Sequence, residues 1–287
     1  MIVVQLFVNA LLLAGTYLLL AVGLNLIFGV LRVVNFSHGG MVVFAGLFVY
    51  WLVLRQHVSP VLAVALAVVV VAAIGFVTQA AALARIRVTG YDAELLSLLA
   101  TYGVALVLVN ISALSFSADY VSLPELQGSW NIGSIHLGRA AVVAAAVGVI
   151  SSSAVLFWLA RTRSGKRVVA TAQSETGAEV CGINAAVTKR VAFTLGSALA
   201  GLAGALTIFQ STMAPSAGLG YTVLAFVMIA LGGLGNYAGA FLGALCLALL
   251  ASFTSYYWSG TASAIAPYLL LLLVMLARTR GSRYSLV

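Results

Sequence analysis

Long apolar runs without a single ionised side chain recur from one end of this 287-residue chain to the other. They occupy residues 6–28, 41–54, 61–83, 95–111, 140–160, 191–209, 223–231, 238–253 and 265–277. About twenty such residues cross a hydrocarbon layer of ~30 Å as a helix, whereas barrel strands need short alternating segments. A soluble core cannot absorb this much apolar surface, for hydrophobic residues make up 63% of the chain and charged residues 7%. The fold class is therefore all-α: a polytopic transmembrane helix bundle of about eight to nine membrane segments, with broken or re-entrant helices where the runs are interrupted. Residues 1–287 are expected to form one transmembrane domain. The first run lacks a basic flank and a small-residue cleavage site, and is expected to be a retained span.

An ionised residue at a helix centre costs roughly 2.5 to 3.5 kcal/mol, so charge is confined to loops and there reports sidedness. Arg161, Arg163, Lys166, Arg167, Lys189 and Arg190 bracket residues 161–190, and Arg278, Arg280 and Arg283 close the chain. The positive-inside bias makes both regions cytoplasmic. Arg85 and Arg87 lie two crossings earlier, on the same side, and the loop with Asp119 and Glu125 falls outside, as does Met1. Returning from Lys189 to Arg278 requires an even number of crossings. The run 223–231 is short for a full span: either it crosses end to end with its neighbours, or "LGGLGN" (231–236) turns it back as a hairpin. The net charge of +8 sits in these membrane-flanking loops and is no nucleic-acid footprint.

Several chemistries are absent from the pattern. Cys181 and Cys246 cannot make an external disulfide framework, and His38, His57 and His136 stand apart with no ligand-spaced partner, so no metal site is expected. "RSGKRV" has a Gly-Lys pair without the rest of a phosphate-binding loop, and there is no Gly-x-Ser-x-Gly elbow. The chain therefore reads as non-catalytic, binding no cofactor of its own. Proton-coupled carriers commonly place carboxylates inside their spans, yet Asp92, Glu94, Asp119, Glu125, Glu175 and Glu179 all fall in loops. That disfavours a self-sufficient secondary carrier or channel. Sodium coordination by backbone carbonyls leaves the alternative open.

Glycines at spacings of three to five, as in "GSALAGLAGAL" (196–206) and "GAFLGALCLAL" (239–249), let helix backbones approach closely where lipid supplies no hydrophobic drive. Two other glycine clusters interrupt the apolar pattern beside polar side chains. In "NFSHGG", Asn35, Ser37, His38, Gly39 and Gly40 offer turn formers, an amide and an imidazole, and in "GGLGN", Gly232, Gly233, Gly235 and Asn236 do much the same. Helices break this way where backbone lines a cavity, and these nine residues are candidates for a translocation path. Interfacial anchoring and helix capping, with Arg32 as a positive-inside marker, is the plainer reading of Asn35 and His38. Loose likeness between the two clusters also raises the question of an internal repeat.

The basic loop 161–190 is too long for a turn. Residues 168–172 read as helix, Ser174 can cap a second helix holding Glu175, Ala178 and Glu179, and Gly182 followed by Asn184 stops it just after Cys181. Such a helix is either a solvated face or a docking element.

"GLNLIFGVLRVVNFSHGG" (23–40), "CGINAAVTKRVAFTLGSALAGLAGAL" (181–206) and "ALGGLGNYAGAFLGAL" (230–245) resemble the branched-chain amino-acid ABC permease family, in its shorter, LivH-type subunit, over nearly the whole chain. The resemblance implies the permease subunit of an ATP-driven importer in a bacterial cytoplasmic (inner) membrane. It implies branched-chain amino acids or a related small polar solute such as urea or an amide. The implied partners are a second, longer permease subunit, two ATP-binding subunits that hold the ATP, and an extracytoplasmic substrate-binding protein. Ser174, Glu175, Ala178, Glu179, Cys181, Gly182 and Asn184 would then form the coupling element that sits in the ATPase. "MAPSAGLG" (213–220) would lie on the outer side near the binding protein. The chain departs from the family at Gly40, where many members carry an acidic residue, and at Ala238, where many carry Pro.

Overall fold

The computed structural model describes residues 2–86, 91–123, 128–133 and 135–282, so Met1, Arg87, Glu125 and Arg283 lie outside the described residues. Every apolar run becomes a helix: α1 (Ile2–Leu31), α2 (Ser37–Gln56), α3 (Pro60–Ala81), α4 (Tyr91–Ser115) and α5 (Arg139–Arg161). Between the last two stands an antiparallel hairpin of β1 (Ser129–Ile132) and β2 (Ile135–Gly138), with Asn131 opposite His136. The basic loop holds α6 (Arg163–Gln173) and α7 (Glu175–Val180), and the chain continues through α8 (Ala185–Thr207), α9 (Gly218–Gly232), α10 (Tyr237–Tyr257) and α11 (Gly260–Ser282). Among the described residues eight helices are long and apolar enough to cross a membrane, and Gly260–Val274 within α11 is a shorter apolar stretch. The molecule is a multi-pass, all-α membrane protein.

Local chemistry sets the helix starts. Thr162, Ser174, Asn184 and Asn236 each accept a backbone N–H three residues on, capping α6, α7, α8 and α10, and Pro60 opens α3 where its missing N–H costs nothing. The bundle has two distinct ends. At the basic end α6 packs beside Arg32 and the α9–α10 turn, with α7 resting on α6 and α8. At the hairpin end Gln5 clamps β2 by donating to the His136 carbonyl (2.8 Å) and accepting its N–H (2.9 Å).

Two helices begin inside the bundle instead of at an end. After Leu31 the chain turns back, and α2 starts beside Leu20, whose carbonyl meets His38; Leu20 is eleven residues, about 16 Å, from the end of α1. From the hairpin end, residues 208–217 descend, pair Met213 with Val121 in both directions (3.0 and 2.8 Å), and start α9 against Gly39. α9 alone spans about 22 Å, short of a hydrocarbon layer of ~30 Å, and it counts among the eight only together with the turn Pro215–Ala217 that leads into it. This traverse is shared by the irregular descent and the helix, and "LGGLGN" turns at the basic end.

The packing repeats itself with direction reversed. α1 and α8 cross where Gly23 and Gly196 lie face to face: a Cβ on either would come within 2.6 to 2.8 Å of the other's carbonyl oxygen. α3 lies along α8 as α10 lies along α1, α4 packs on α2 as α11 packs on α9, and α2 meets α9. Exchanging α1–α4 with α8–α11 thus maps these contacts onto one another, with α5, α6 and α7 between, the arrangement of an inverted repeat; it departs from symmetry where α11 packs on α10, for α4 has no comparable packing on α3. The internal repeat relates the break at 32–36 to the one at 208–217. "GGLGN" has a different counterpart from "NFSHGG", since it lies at a helix-to-helix turn and not at a mid-bundle start.

Candidate translocation path

"NFSHGG" folds into a polar junction at mid-depth. The Asn35 Oδ1 accepts from the Ser37 N–H (3.1 Å) and the Ser37 hydroxyl (2.6 Å), filling one of the donor positions that a helix start leaves open. The Gly39 N–H donates to Thr222 Oγ1 (2.9 Å) on α9, and that hydroxyl donates to the Phe36 carbonyl (3.1 Å). Thr101 on α4 accepts from the Phe36 N–H (3.2 Å). His38 donates from Nε2 to the Leu20 carbonyl (3.2 Å), since a carbonyl can only accept. Asn35, Ser37 and His38 have no exposed surface. Gly40 faces the backbone of Ala105, where a Cβ would stand in ordinary contact at 3.4 Å.

Some polar capacity at this depth goes unused. Among the described residues Asn25 Nδ2, Asn35 Nδ2, His38 Nδ1 and Ser197 Oγ are buried without a partner. Each such group costs roughly 1 to 3 kcal/mol relative to a paired one, which packing alone gives no reason to retain.

The second cluster does not join the first. Gly233 and Gly235 take φ of 94° and 81°, Asn236 caps α10, and the Gly235 N–H donates to Asn25 Oδ1 (2.8 Å). Gly232 and Gly239 are in backbone contact where α9 and α10 diverge. A cavity of about 360 Å³ lies between this turn, Arg32 and Gln173. Residues 213–220 turn partly inward: Met213, Ala214 and Pro215 are buried, and Gly218 rests on Gly39 and Gly40. The pairing with Val121 satisfies the Met213 backbone inside the bundle, while Ser216 and Leu219 remain exposed.

Hollows open toward the hairpin end. One of about 600 Å³ separates α1 from α5 and from residues 209–211, with Arg139 at its rim and Leu20 and Tyr221 at its floor. Tyr17 also borders two neighbours of about 380 and 480 Å³, so the three converge on one ring. The floor abuts the junction directly, for the Leu20 carbonyl holds His38 and Tyr221 precedes Thr222. Thr16, Tyr17, Thr101, Gln210 and Thr222 escaped sequence reasoning. A lone polar residue within an apolar run is the signal that marks Thr16 and Thr101.

The basic end carries the other candidate surface. Ser174 caps α7 at Gly177 (3.0 Å), Gly182 takes φ 77° to end it, and Asn184 caps α8 at Val187 (3.0 Å). Ala178 turns inward, while Glu179, Val180 and Cys181 are exposed. Glu175 pairs with Lys189. Arg32, with φ 56°, reaches from the start of the break to donate to the Ala172 carbonyl (3.2 Å) at the end of α6.

Comparison with known proteins places this architecture. Residues 6–277 match the family model for the permease component of branched-chain amino acid transport systems. The chain is 27% identical to the high-affinity branched-chain amino acid transport system permease protein LivH of Salmonella typhimurium, over 95% of this chain and 92% of that one. Against the corresponding protein BraD of Pseudomonas aeruginosa identity is 25%, over 96% and 94%. The ribose import permease protein RbsC of Escherichia coli is 31% identical over 68% of this chain and 61% of its own length. The matches run from the first span to the last and include the mid-bundle junction and the basic arm; the chain belongs to the branched-chain amino acid transport system permease family, in its LivH-type branch.

Proposed function

We propose that this chain is the permease subunit of an ATP-driven importer of amino acids, branched-chain amino acids or a related small polar solute, in a bacterial cytoplasmic membrane. It works beside a second, longer permease subunit, with two ATP-binding subunits at the basic end and a substrate-binding protein at the hairpin end. It binds no ATP itself. The observation that carries the reading is the basic arm. α7 is a capped helix with an exposed outer face, joined through α6 and Arg32 to the break that positions Asn35, Ser37 and His38. Closure of an ATPase on α7 would thus reach mid-depth through one hydrogen bond and four residues of chain. The positive-inside bias supports the same orientation.

Co-reconstitution tests this. The chain alone in liposomes is expected to accumulate no leucine under a proton or sodium gradient, and the complete complex is expected to do so only with ATP. Gradient-driven uptake by the lone chain would make it a secondary carrier and end the importer reading. The exposed positions of Asp92, Glu94, Asp119, Glu175 and Glu179 already weigh against proton coupling.

A further inference from the structure

We infer that the cavity between α1 and α5 is a receiving site for an amphipathic solute, whose carboxylate pairs with Arg139. The inference rests on the import reading and adds a place and a chemistry to it. A volume of about 600 Å³ falls within the ~300–1,000 Å³ typical of small-molecule sites. Arg139 is the one ionised side chain among the described residues that line it. Its guanidinium lies over Gly128, 3.6 Å from where a Cβ would stand, and has no hydrogen-bond or ion-pair partner among the described residues. Its backbone is held firmly: the Arg139 N–H donates to the Gly128 carbonyl (3.0 Å), β2 pairs with β1, and Gln5 clamps β2 to α1. A planar fork of donors on a rigid mount, with no counter-charge beside it among the described residues, suits a carboxylate better than a mobile ammonium would.

The remaining walls divide by polarity. Leu12, Leu13 and Phe209 offer apolar surface, while Asn9 and the Gln210–Thr16 pair (3.1 Å) offer neutral acceptors for an ammonium group. With no carboxylate among the described lining, a cationic side chain would meet only Arg139. The site therefore selects zwitterions with an apolar side chain and rejects basic ones. Beneath such a guest lie Leu20 and Tyr221, the last layer before the junction.

The test uses the complete complex in proteoliposomes, with Cys181→Ser and Cys246→Ser and a reporter at Leu13→Cys or, separately, Ala141→Cys. Each reporter is titrated from the hairpin side with an anionic ethylsulfonate methanethiosulfonate and with its cationic trimethylammonium counterpart. The anionic reagent is expected to react faster, and Arg139→Gln to slow it about tenfold while leaving the cationic rate level or higher. Arg139→Lys keeps part of the preference. Leucine should protect both reporters, and leucinamide, which lacks the carboxylate, should protect neither. An unchanged anionic rate in Arg139→Gln, equal protection by both compounds, or no labelling at either reporter overturns the site. ATP-driven leucine uptake is measured on the same vesicles: its absence beside an intact charge preference would discard the import reading and keep the anion site.

Discussion

Gly39 lies at the tightest point of the junction, where a Cβ would overlap the Gly218 carbonyl, the Thr222 nitrogen and the Thr222 hydroxyl. No rotamer relieves a clash with backbone, so Gly39→Ala must push α2 from α9. It is expected to cost several kcal/mol, the range of severe overpacking, and to lower both complex yield and the melting temperature in detergent. Gly103 on α4 has nothing within 4 Å, and Gly103→Ala should be neutral or stabilise by up to about 1 kcal/mol. Equal effects of the two would mean that glycine is needed there for some reason other than close approach. Asn35→Leu probes polarity: it removes the acceptor for both Ser37 donors while favouring insertion. Complexes should assemble and hydrolyse ATP, with uptake reduced; normal uptake would make Asn35 a cap and no more.

At the scale of elements, Arg32 is the thin link between the basic arm and the break. Its left-handed backbone is held at a cost of roughly 1 to 2 kcal/mol in a residue with no glycine-like freedom. Arg32→Gln should leave assembly and ATPase rate near normal while uptake falls, because the α6 contact is lost and the fold is not. Parallel loss of ATPase and uptake would place Arg32 in folding instead. Glu175 and Lys189 are partly exposed, and such a pair contributes about 0 to 1 kcal/mol, so Glu175→Gln should shift the melting temperature little. A maleimide should label Cys181 in the free chain and be hindered by the bound ATPase; equal labelling would move the docking surface elsewhere. These elements were readable from sequence because their causes are local. A twenty-residue apolar run, Ser174 before Glu175, and Gly182 at a helix end each act within a few residues. Thr222 was not readable, since its role depends on Gly39 and Phe36, more than 180 residues earlier in the chain. Residues 213–217 look like an outer loop because they lack apolar periodicity, and only the distant Val121 shows why they can be buried.

For the whole molecule, the reversed packing pattern predicts where substitutions interact. Gly23 and Gly196 fill each other's missing side-chain space, so Gly23→Ala and Gly196→Ala should be strongly non-additive: either one already parts α1 from α8, and the second adds little. Gly75 packs on Ser197 and Gly243 on Met228, at separate contacts, and their alanine variants should add within about 0.5 kcal/mol. Additivity at the first pair, measured by thermal unfolding of the assembled complex, would contradict a shared crossing point.

The meeting of α2 and α9 has an electrical consequence. Both helices present their N-termini to the same spot, and each such end is equivalent to about half a positive elementary charge. No acidic side chain among the described residues stands in the first turn of either helix to offset it. The peptide groups there set a positive potential at the middle of the molecule, which disfavours hydronium and sodium. For the proposed import of zwitterions this insulation matters, since each cycle would open a route that must not short-circuit the membrane. Proteoliposomes carrying the complete complex should hold a proton gradient during ATP-driven uptake, as a trapped pH dye would report, and Gly218→Asp, which sets a negative charge at the meeting point, should make them leak.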